Sequence, residues 1–315
     1  MINRKIKNRN IVLFYCSFLF LQAFFGATTL KAEVMTNVKY LASFNTKRSA
    51  CMAKVNGFPV IENFTYSSGT ISTGFNITAF VENGNNSIEL MMGSIDPDDK
   101  NTLYSDSTCE LTITRDTESS SHKVTSLILS VDENRHITAS SSSNYHGSLN
   151  EKLVDEIQSS ESKEQELYRA GREIILSELP TWSWVNATPF SEDYLPQTRS
   201  IYKEIWNAMR NRDIKILKEI ADISSREMGV AEGVSSDTIF ESYNLPKNIL
   251  RKDLSPINLD WGGYKIITYC NGRVFRLAKG IYQNSPLRLR DSDGDIIFSY
   301  NPYFSIIDGK VTLVR

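Results

Sequence analysis

The sequence predicts a β-rich chain with two folded parts. The first is an immunoglobulin-like β-sandwich over residues 33–149, and the second is an α+β domain over residues 150–315 whose helices pack on a curled antiparallel sheet. Three observations support this order. Short β-branched and aromatic runs separated by turn residues come first, apolar residues at helical spacing follow, and strand patterns return over roughly the last 60 residues.

The first 32 residues have the three-part plan of a secretory signal peptide. The first ten positions hold four basic residues and no acid, an apolar run extends from Ile11 to Phe25, and a short polar stretch ends at Ala32. The apolar run, about 15 residues, is short for a helix that crosses a bilayer. We therefore expect cleavage after Ala32 and export to the periplasm, with an uncleaved N-terminal anchor as the alternative. No later segment is apolar enough to span a membrane.

The N-terminal part contains eight runs of strand character, joined by turn signals such as Asn56-Gly57 and Asn83-Gly84. Seven or eight short strands in about 110 residues are typical of a sandwich. Cys51 and Cys109 lie 58 residues apart in this part, so an exported chain is expected to join them in a disulfide that pins two sheets together. Such a bridge would stabilise the fold by about 3–4 kcal/mol.

The second part begins with a predicted helical region over residues 150–179, where Leu167, Ala170 and Ile174 form one stripe. A helical hairpin follows over residues 199–228, with Asp213 as the predicted N-cap of its second helix, and a further short helix lies near residue 240.

The strands after these helices are expected to be hairpins, joined by turns at Asn271-Gly272, Asp293-Gly294 and Asp308-Gly309. Cys270, at the end of one apolar strand, is predicted to be a buried inert thiol, with an intermolecular bridge as the alternative.

Charge is unevenly distributed along the chain. After Ala32 there are 30 basic and 37 acidic residues, a net charge of −7, which argues against a general binder of nucleic acid or anionic membranes. Residues 150–245 carry a net charge of −7, whereas residues 246–315 hold 11 basic and 6 acidic residues. The basic segment either balances the acidic one internally or forms a docking face for an acidic partner.

The sequence shows no catalytic cluster, metal site or cofactor motif. His122, His136 and His146 stand apart from acids and cysteines at metal-ligand spacing and are predicted to be surface residues. Serines lie in loops without a nucleophile motif. The chain is therefore expected not to be an enzyme, although a hydrolase with a scattered Ser-His-Asp site stays open as an alternative.

Two acidic loops are candidate cation sites. Asp291 to Asp295 reads DSDGD, but its glycine is fourth and no glutamate stands twelfth, so an Asp-Gly hairpin turn is the better interpretation. The loop over residues 95–106 contains several acids in no matching register and leaves a weak cation site as an alternative.

Four residues are candidates for contact with a protein partner. Trp182 and Trp184 flank one serine in a proline-bounded segment and would share a face if the segment is extended. Arg288 and Arg290 alternate on a predicted strand and suit carboxylate recognition. The alternatives are that the tryptophans close the α+β core and that the arginines lie on a solvated strand face.

The layout resembles periplasmic immunity proteins of bacterial contact-dependent and type VI secretion toxin systems. The passages that carry the resemblance are ACMAKVNGFPVIENF, YCNGRVFRLAKG and PYFSIIDGKVTLVR. The resemblance implies a protein that blocks a toxin by stoichiometric occlusion in the periplasm, where cell-wall hydrolases, lipases and pore formers act. It assigns no site residues. A carbohydrate- or cell-wall-binding envelope protein is the alternative from a different class.

Overall fold

The computed structural model describes residues 37–141, 154–159 and 166–315. The predicted signal peptide, the predicted boundary between residues 149 and 150, and His146 lie outside the described residues.

Two five-stranded antiparallel sheets form the N-terminal part of the structure. The order of one sheet is β4-β1-β6-β7-β8, and the order of the other is β3-β2-β5-β10-β9. Seven of the eight predicted strands are confirmed, whereas the predicted strand over residues 74–84 is extended only at its ends and contains a 3-10 helix at Thr78–Phe80. The ten strands are β1 (Lys39–Lys47), β2 (Ala50–Val55), β3 (Phe58–Glu62), β4 (Ser72–Asn76), β5 (Gly84–Gly93), β6 (Thr108–Asp116), β7 (Ser121–Val131), β8 (Ile137–Ser141), β9 (Val154–Ser159) and β10 (Glu166–Leu176).

The prediction of helix over residues 150–179 is wrong for the described residues, because β9 and β10 are strands. β10 pairs antiparallel with β5 along nine residues, from Tyr168 to Leu176. From Ala170 to Leu176 every second side chain of β10 is buried, including Arg172, whose Nη1 donates to Thr125 Oγ1 at 2.9 Å. Arg172 interrupts the apolar alternation that marks a strand in sequence, and Leu167 is buried on the opposite face of β10, so that Leu167, Ala170 and Ile174 have helical spacing without forming a helix.

The two sheets share one hydrophobic core. Phe44 of β1 and Leu111 of β6 face Leu90 of β5 and Ile174 of β10 within a single cluster of buried side chains. The predicted disulfide is confirmed, since Cys51 of β2 and Cys109 of β6 are bonded and thus link one sheet to the other.

Five helices follow the second sheet. They are α1 (Leu195–Asn211), α2 (Ile214–Ile220), α3 (Asp222–Glu232), α4 (Ser236–Ser242) and α5 (Leu245–Leu250). α1 has a proline in its first turn, where the missing N–H costs nothing, and it ends at Arg212 in the left-handed conformation. The predicted cap is confirmed, because the Asp213 carboxylate accepts a hydrogen bond from Ile216 N–H. α5 was not predicted. No helix within the described parts of the chain is both long and apolar enough to cross a membrane.

Two small antiparallel sheets replace the single curled sheet that was predicted. The first has the order β11-β14-β15, and the second has the order β12-β13-β16-β17. Their strands are β11 (Ser255–Pro256), β12 (Lys265–Tyr269), β13 (Val274–Ala278), β14 (Arg288–Arg290), β15 (Ile296–Ser299), β16 (Phe304–Ile307) and β17 (Lys310–Leu313). The helices pack on both sheets through one core that contains Tyr202 and Ile205 of α1, Phe275 of β13 and Leu289 of β14.

The three predicted Asn-Gly and Asp-Gly turns are present. Asp308 and Gly309 have φ values of 49° and 75°, as the two-residue hairpin turn between Ile307 and Lys310 requires. Asn271 and Gly272, with φ values of 56° and 85°, lie instead in a four-residue loop between Tyr269 and Val274. In the third turn the Asp291 carboxylate accepts hydrogen bonds from the N–H groups of Asp293 and Asp295. These hydrogen bonds show that the acidic DSDGD segment forms a turn, as the sequence predicts.

Candidate functional site

The tryptophan pair lies inside the molecule. Trp182 and Trp184 are 2 % and 0 % exposed, and they belong to a cluster that joins Phe58 of the N-terminal part to Tyr269 of β12. Their segment is a turn and not a strand, since Val185 N–H donates to Trp182 O and Ala187 N–H donates to Trp184 O. The interpretation that the two rings close the core therefore accounts for their positions, and neither ring offers a surface to a partner.

Around these rings, two arginines of the C-terminal part bond to residues of the N-terminal part, in a region that we call the seam. Arg273 forms a two-pronged ion pair with Glu82 and also donates to Val185 O at 2.6 Å. This hydrogen bonding raises the pKa of the Arg273 guanidinium. Arg315 pairs with Glu227 at 2.6 Å and donates from Nε to Ala79 O at 2.9 Å. The charged side chains of the seam therefore hold elements of the fold together and are not available to a ligand.

Cys270 is part of the seam and confirms the prediction of a buried thiol. It is free and buried, and burial raises its pKa to about 12. A thiol that stays protonated to such a pH is neither a nucleophile nor a ready partner for a disulfide.

The arginine pair lies elsewhere, on β14. Leu289 is 1 % exposed and points into the core, so Arg288 and Arg290 share the opposite face, as predicted. Arg288 is half-buried and donates from Nη2 to Tyr264 Oη at 2.7 Å, whereas Arg290 is exposed. No contact joins this pair to the tryptophan pair within the described residues.

Arg288 belongs to a group of cations gathered around the turn that reads WGGY. Trp261 and Tyr264 close this turn through a backbone hydrogen bond of 3.2 Å. The guanidinium of Arg199 lies 5.6 Å from the Trp261 ring centroid, and Lys279 Nζ lies 5.9 Å from the Tyr264 ring centroid. These are cation–π distances.

Gly263 lets Lys279 lie against the turn. Its φ is +74°, and a Cβ at this position would stand 3.0 Å from Lys279 Nζ and 3.1 Å from the preceding carbon of that side chain. A larger residue would therefore be strained and would displace the ammonium group.

A stripe on α1 extends this group of cations. Arg199, Lys203, Trp206 and Arg210 are spaced four, three and four residues apart and so share one side of the helix over about 16 Å. The guanidinium of Arg210 lies 5.5 Å from the Trp206 ring centroid. Trp206 Nε1 donates to Ile257 O at 2.6 Å. This bond holds the segment just before the WGGY turn against α1.

We call this surface the basic–aromatic face. It comprises five cations and three aromatic rings: Arg199, Lys203, Arg210, Lys279, Arg288, Trp206, Trp261 and Tyr264. Within the described parts of the chain, none of the five cations forms an ion pair with a carboxylate. The acid beside the turn, Asp260, accepts a hydrogen bond from Gly262 N–H. Asp260 keeps its negative charge, so the five cations and this carboxylate together leave the face with a net positive charge on a protein that is acidic overall.

A cleft of about 360 Å³ opens at one end of the face, between the C-terminal turn of α1 and β11. Four buried apolar side chains form its floor: Met209, Ile249, Leu254 and Leu289. Arg210 and Arg212 stand at its rim, and Asn258 borders it from the other side.

This arrangement suits recognition of an acidic protein surface. Arginine and aromatic side chains contribute most to binding energy at protein interfaces, and unpaired cations attract carboxylates without first breaking internal ion pairs. Of the sequence candidates, Arg288 belongs to the face and Arg290 lies on the same strand. The α1 stripe was missed, although its 4-3-4 spacing can be read from the sequence once the helix is accepted.

The remaining candidates for chemistry lie in the N-terminal part. His122 and His136 are exposed, which confirms their prediction as surface residues. In the loop over residues 95–106, the Asp99 carboxylate accepts from Asn101 N–H, and Asp106 pairs with Lys47 and Arg48. Hydrogen bonding from Lys47 lowers the pKa of Asp106. No group of three or more His, Cys, Asp or Glu side chains among the described residues is arranged to hold a metal ion.

No protein-family model matches the chain, and a comparison with curated proteins finds no significant relative.

Proposed function

We propose that this protein is an exported immunity protein that neutralises a toxin by stoichiometric occlusion, and that it binds an acidic surface of that toxin through the basic–aromatic face. The observation that carries the proposal is the presence on one surface of three aromatic rings and five cations that form no ion pair within the described residues. Such residues anchor tight inhibitors, which need a face of roughly 800 Å².

The occupant of the face is proposed to be a protein and not a polyanion. The chain after Ala32 has a net charge of −7, so a long nucleic acid would be repelled by most of the surface. An acidic patch on a folded partner matches the limited extent of the face. The positive charge would also speed the encounter with such a partner, most strongly at low salt.

Two further features support action outside the cytoplasm. The leader expected over residues 1–32 would export the chain, and the disulfide between Cys51 and Cys109 suits an oxidising compartment such as the periplasm. We extend the proposal to the N-terminal part, which we regard as an immunoglobulin-like sandwich. Its two sheets with one shared core and an inter-sheet disulfide support that assignment.

The test is co-purification with a matched charge control. The affinity tag is inserted between Ala32 and Glu33, where it stays on the protein after the expected cleavage. The C-terminal end is avoided because Arg315 is buried. The protein is co-expressed in the periplasm with the product of the neighbouring gene. The face variant, Arg199→Glu with Lys203→Glu, is compared with a control that reverses two exposed cations of the N-terminal part, Lys123→Glu with Arg135→Glu.

We expect the unmodified protein and the control to retain one protein at a one-to-one ratio and to protect cells from it, and the face variant to lose both properties. Equal retention by all three forms would overturn the proposed face. Retention of insoluble peptidoglycan without any protein would favour the carbohydrate-binding alternative and overturn immunity function.

A further inference from the structure

We propose that the cleft beside α1 is a subsite for one large apolar side chain that stands next to a carboxylate in the partner. This inference rests on the proposed function, because it assigns one residue type of the acidic partner to one end of the basic–aromatic face.

The floor of the cleft is apolar and already formed. Met209 and Leu289 are 1 % exposed, and Ile249 and Leu254 are 3 % and 4 % exposed, so the floor belongs to the rigid core of the C-terminal part. A volume of about 360 Å³ lies at the small end of ligand-binding pockets, which range from roughly 300 to 1,000 Å³. The cleft therefore has room for one aromatic or large branched side chain of a partner.

The rim supplies positive charge that pairs with no carboxylate of the described residues. Arg210 has the Trp206 ring beside it but forms no ion pair in the part of the chain that the structure describes. Arg212 donates to Leu250 O at 3.3 Å, and its backbone is held in the left-handed conformation that ends α1.

Neighbouring acids are engaged elsewhere. The Asp213 carboxylate caps α2, and Asp253 accepts two hydrogen bonds from Arg251. A carboxylate from outside would therefore meet two available guanidinium groups above an apolar floor.

The experiment uses a partner-free probe, so that the cleft and the proposed function are tested separately. Binding of 2-naphthoate to the purified protein is compared with binding of its neutral isostere 2-naphthamide by isothermal titration calorimetry. We expect the carboxylate to bind about fivefold more tightly, as an exposed ion pair would provide.

Two variants locate the probe. Asn258→Trp fills the mouth of the cleft and should weaken binding of both probes at least about tenfold. Arg210→Gln with Arg212→Gln should remove the preference for the carboxylate while the amide still binds, and Lys123→Gln with Arg135→Gln should change neither. Thermal unfolding checks that each variant is folded, and the arginine variant changes only exposed side chains.

Equal affinity for the two probes, or binding that Asn258→Trp leaves intact, would overturn the subsite. If the Arg199→Glu and Lys203→Glu variant loses the partner but neither probe binds the protein, only the proposed subsite is overturned. If the probes bind as expected but the partner binds the face variant as tightly as the unmodified protein, the cleft is still a ligand site and the proposed function is overturned.

Discussion

Arginine is used in two opposite ways in this molecule. In the seam, Arg273 and Arg315 are largely buried and each has a carboxylate partner, Glu82 of the N-terminal part for Arg273 and Glu227 of α3 for Arg315. On the basic–aromatic face, Arg199 and Arg210 are exposed and lie beside tryptophan rings, and neither forms an ion pair with an acid of the described residues. The first arrangement holds the fold together, and the second leaves charge available for a partner. Arginine content alone does not distinguish these roles.

The largest expected effect is on stability and concerns the ring that the seam buries most completely. Trp184→Ala should lower the free energy of unfolding by about 4 kcal/mol, because it leaves a cavity in the core. Urea denaturation of the variant measures this loss. Tyr66→Ala, at an aromatic side chain that is 54 % exposed, is the control and should cost less than about 0.5 kcal/mol. A folded Trp184→Ala protein of near-normal stability that fails to bind its partner would reverse the assignment of this ring to the core.

The next effect concerns the buried charge. Glu227→Ala removes the acceptor for both Arg315 Nη1 and Ser183 N–H and leaves the Arg315 charge without a partner. We expect a loss of about 3 kcal/mol in the free energy of unfolding, since an unpaired buried charge is costly. Glu241→Ala, at an exposed position on α4, should be nearly neutral in the same denaturant titration. Equal effects of the two substitutions would mean that the seam does not depend on its ion pairs.

A smaller effect appears at high pH. The pKa of Cys270 is raised to about 12 in the folded protein from 9.0, so the unfolded chain loses this proton first as pH rises. The stabilising contribution is complete below pH 9 and declines as pH rises toward 12.

Between pH 8 and 10 the free energy of unfolding should therefore fall by about 1 kcal/mol more in the unmodified protein than in Cys270→Ala. Chemical denaturation at a series of pH values measures the difference. Parallel pH profiles would show that Cys270 is accessible to solvent.

The smallest effect on stability is expected on the face. Arg199→Glu with Lys203→Glu replaces two exposed positive charges, four residues apart on α1, by two exposed negative charges. The repulsion within the pair is therefore similar, and the free energy of unfolding should change by less than about 0.5 kcal/mol. Urea denaturation beside the Lys123→Glu and Arg135→Glu control checks this value. If this variant loses as much free energy of unfolding as Glu227→Ala does, Arg199 and Lys203 stabilise the fold as the arginines of the seam do. The contrast between the two regions would then be wrong.

Local patterns in the sequence predicted most of the elements but not their assembly. Seven strands of the N-terminal part and the helical hairpin follow from alternation, helical spacing and the Asp213 cap. β10 was missed because its buried Arg172 hides the alternation, and such burial depends on Thr125, a residue distant in sequence. The disulfide was predicted by counting cysteines, without knowledge of the sheets that it joins.

The candidate site was less accessible to sequence reasoning. Trp182 and Trp184 lie in a turn whose burial depends on Phe58 and Tyr269, so their spacing could not reveal which way the rings point. Arg288 was identified from strand alternation. Its neighbours on the face come from α1 and from the turn after β11, and only the folded chain brings them together.

The most direct test of the account is the dissociation constant of the partner for three forms of the protein, measured at 50 and 500 mM salt: unmodified, Arg199→Glu with Lys203→Glu, and the Lys123→Glu with Arg135→Glu control. If the basic–aromatic face binds an acidic partner, the face variant binds at least about tenfold more weakly at low salt, and the control is unchanged. The difference narrows at high salt as the charges are screened. Equal dissociation constants for the face variant and the control at low salt would contradict the account.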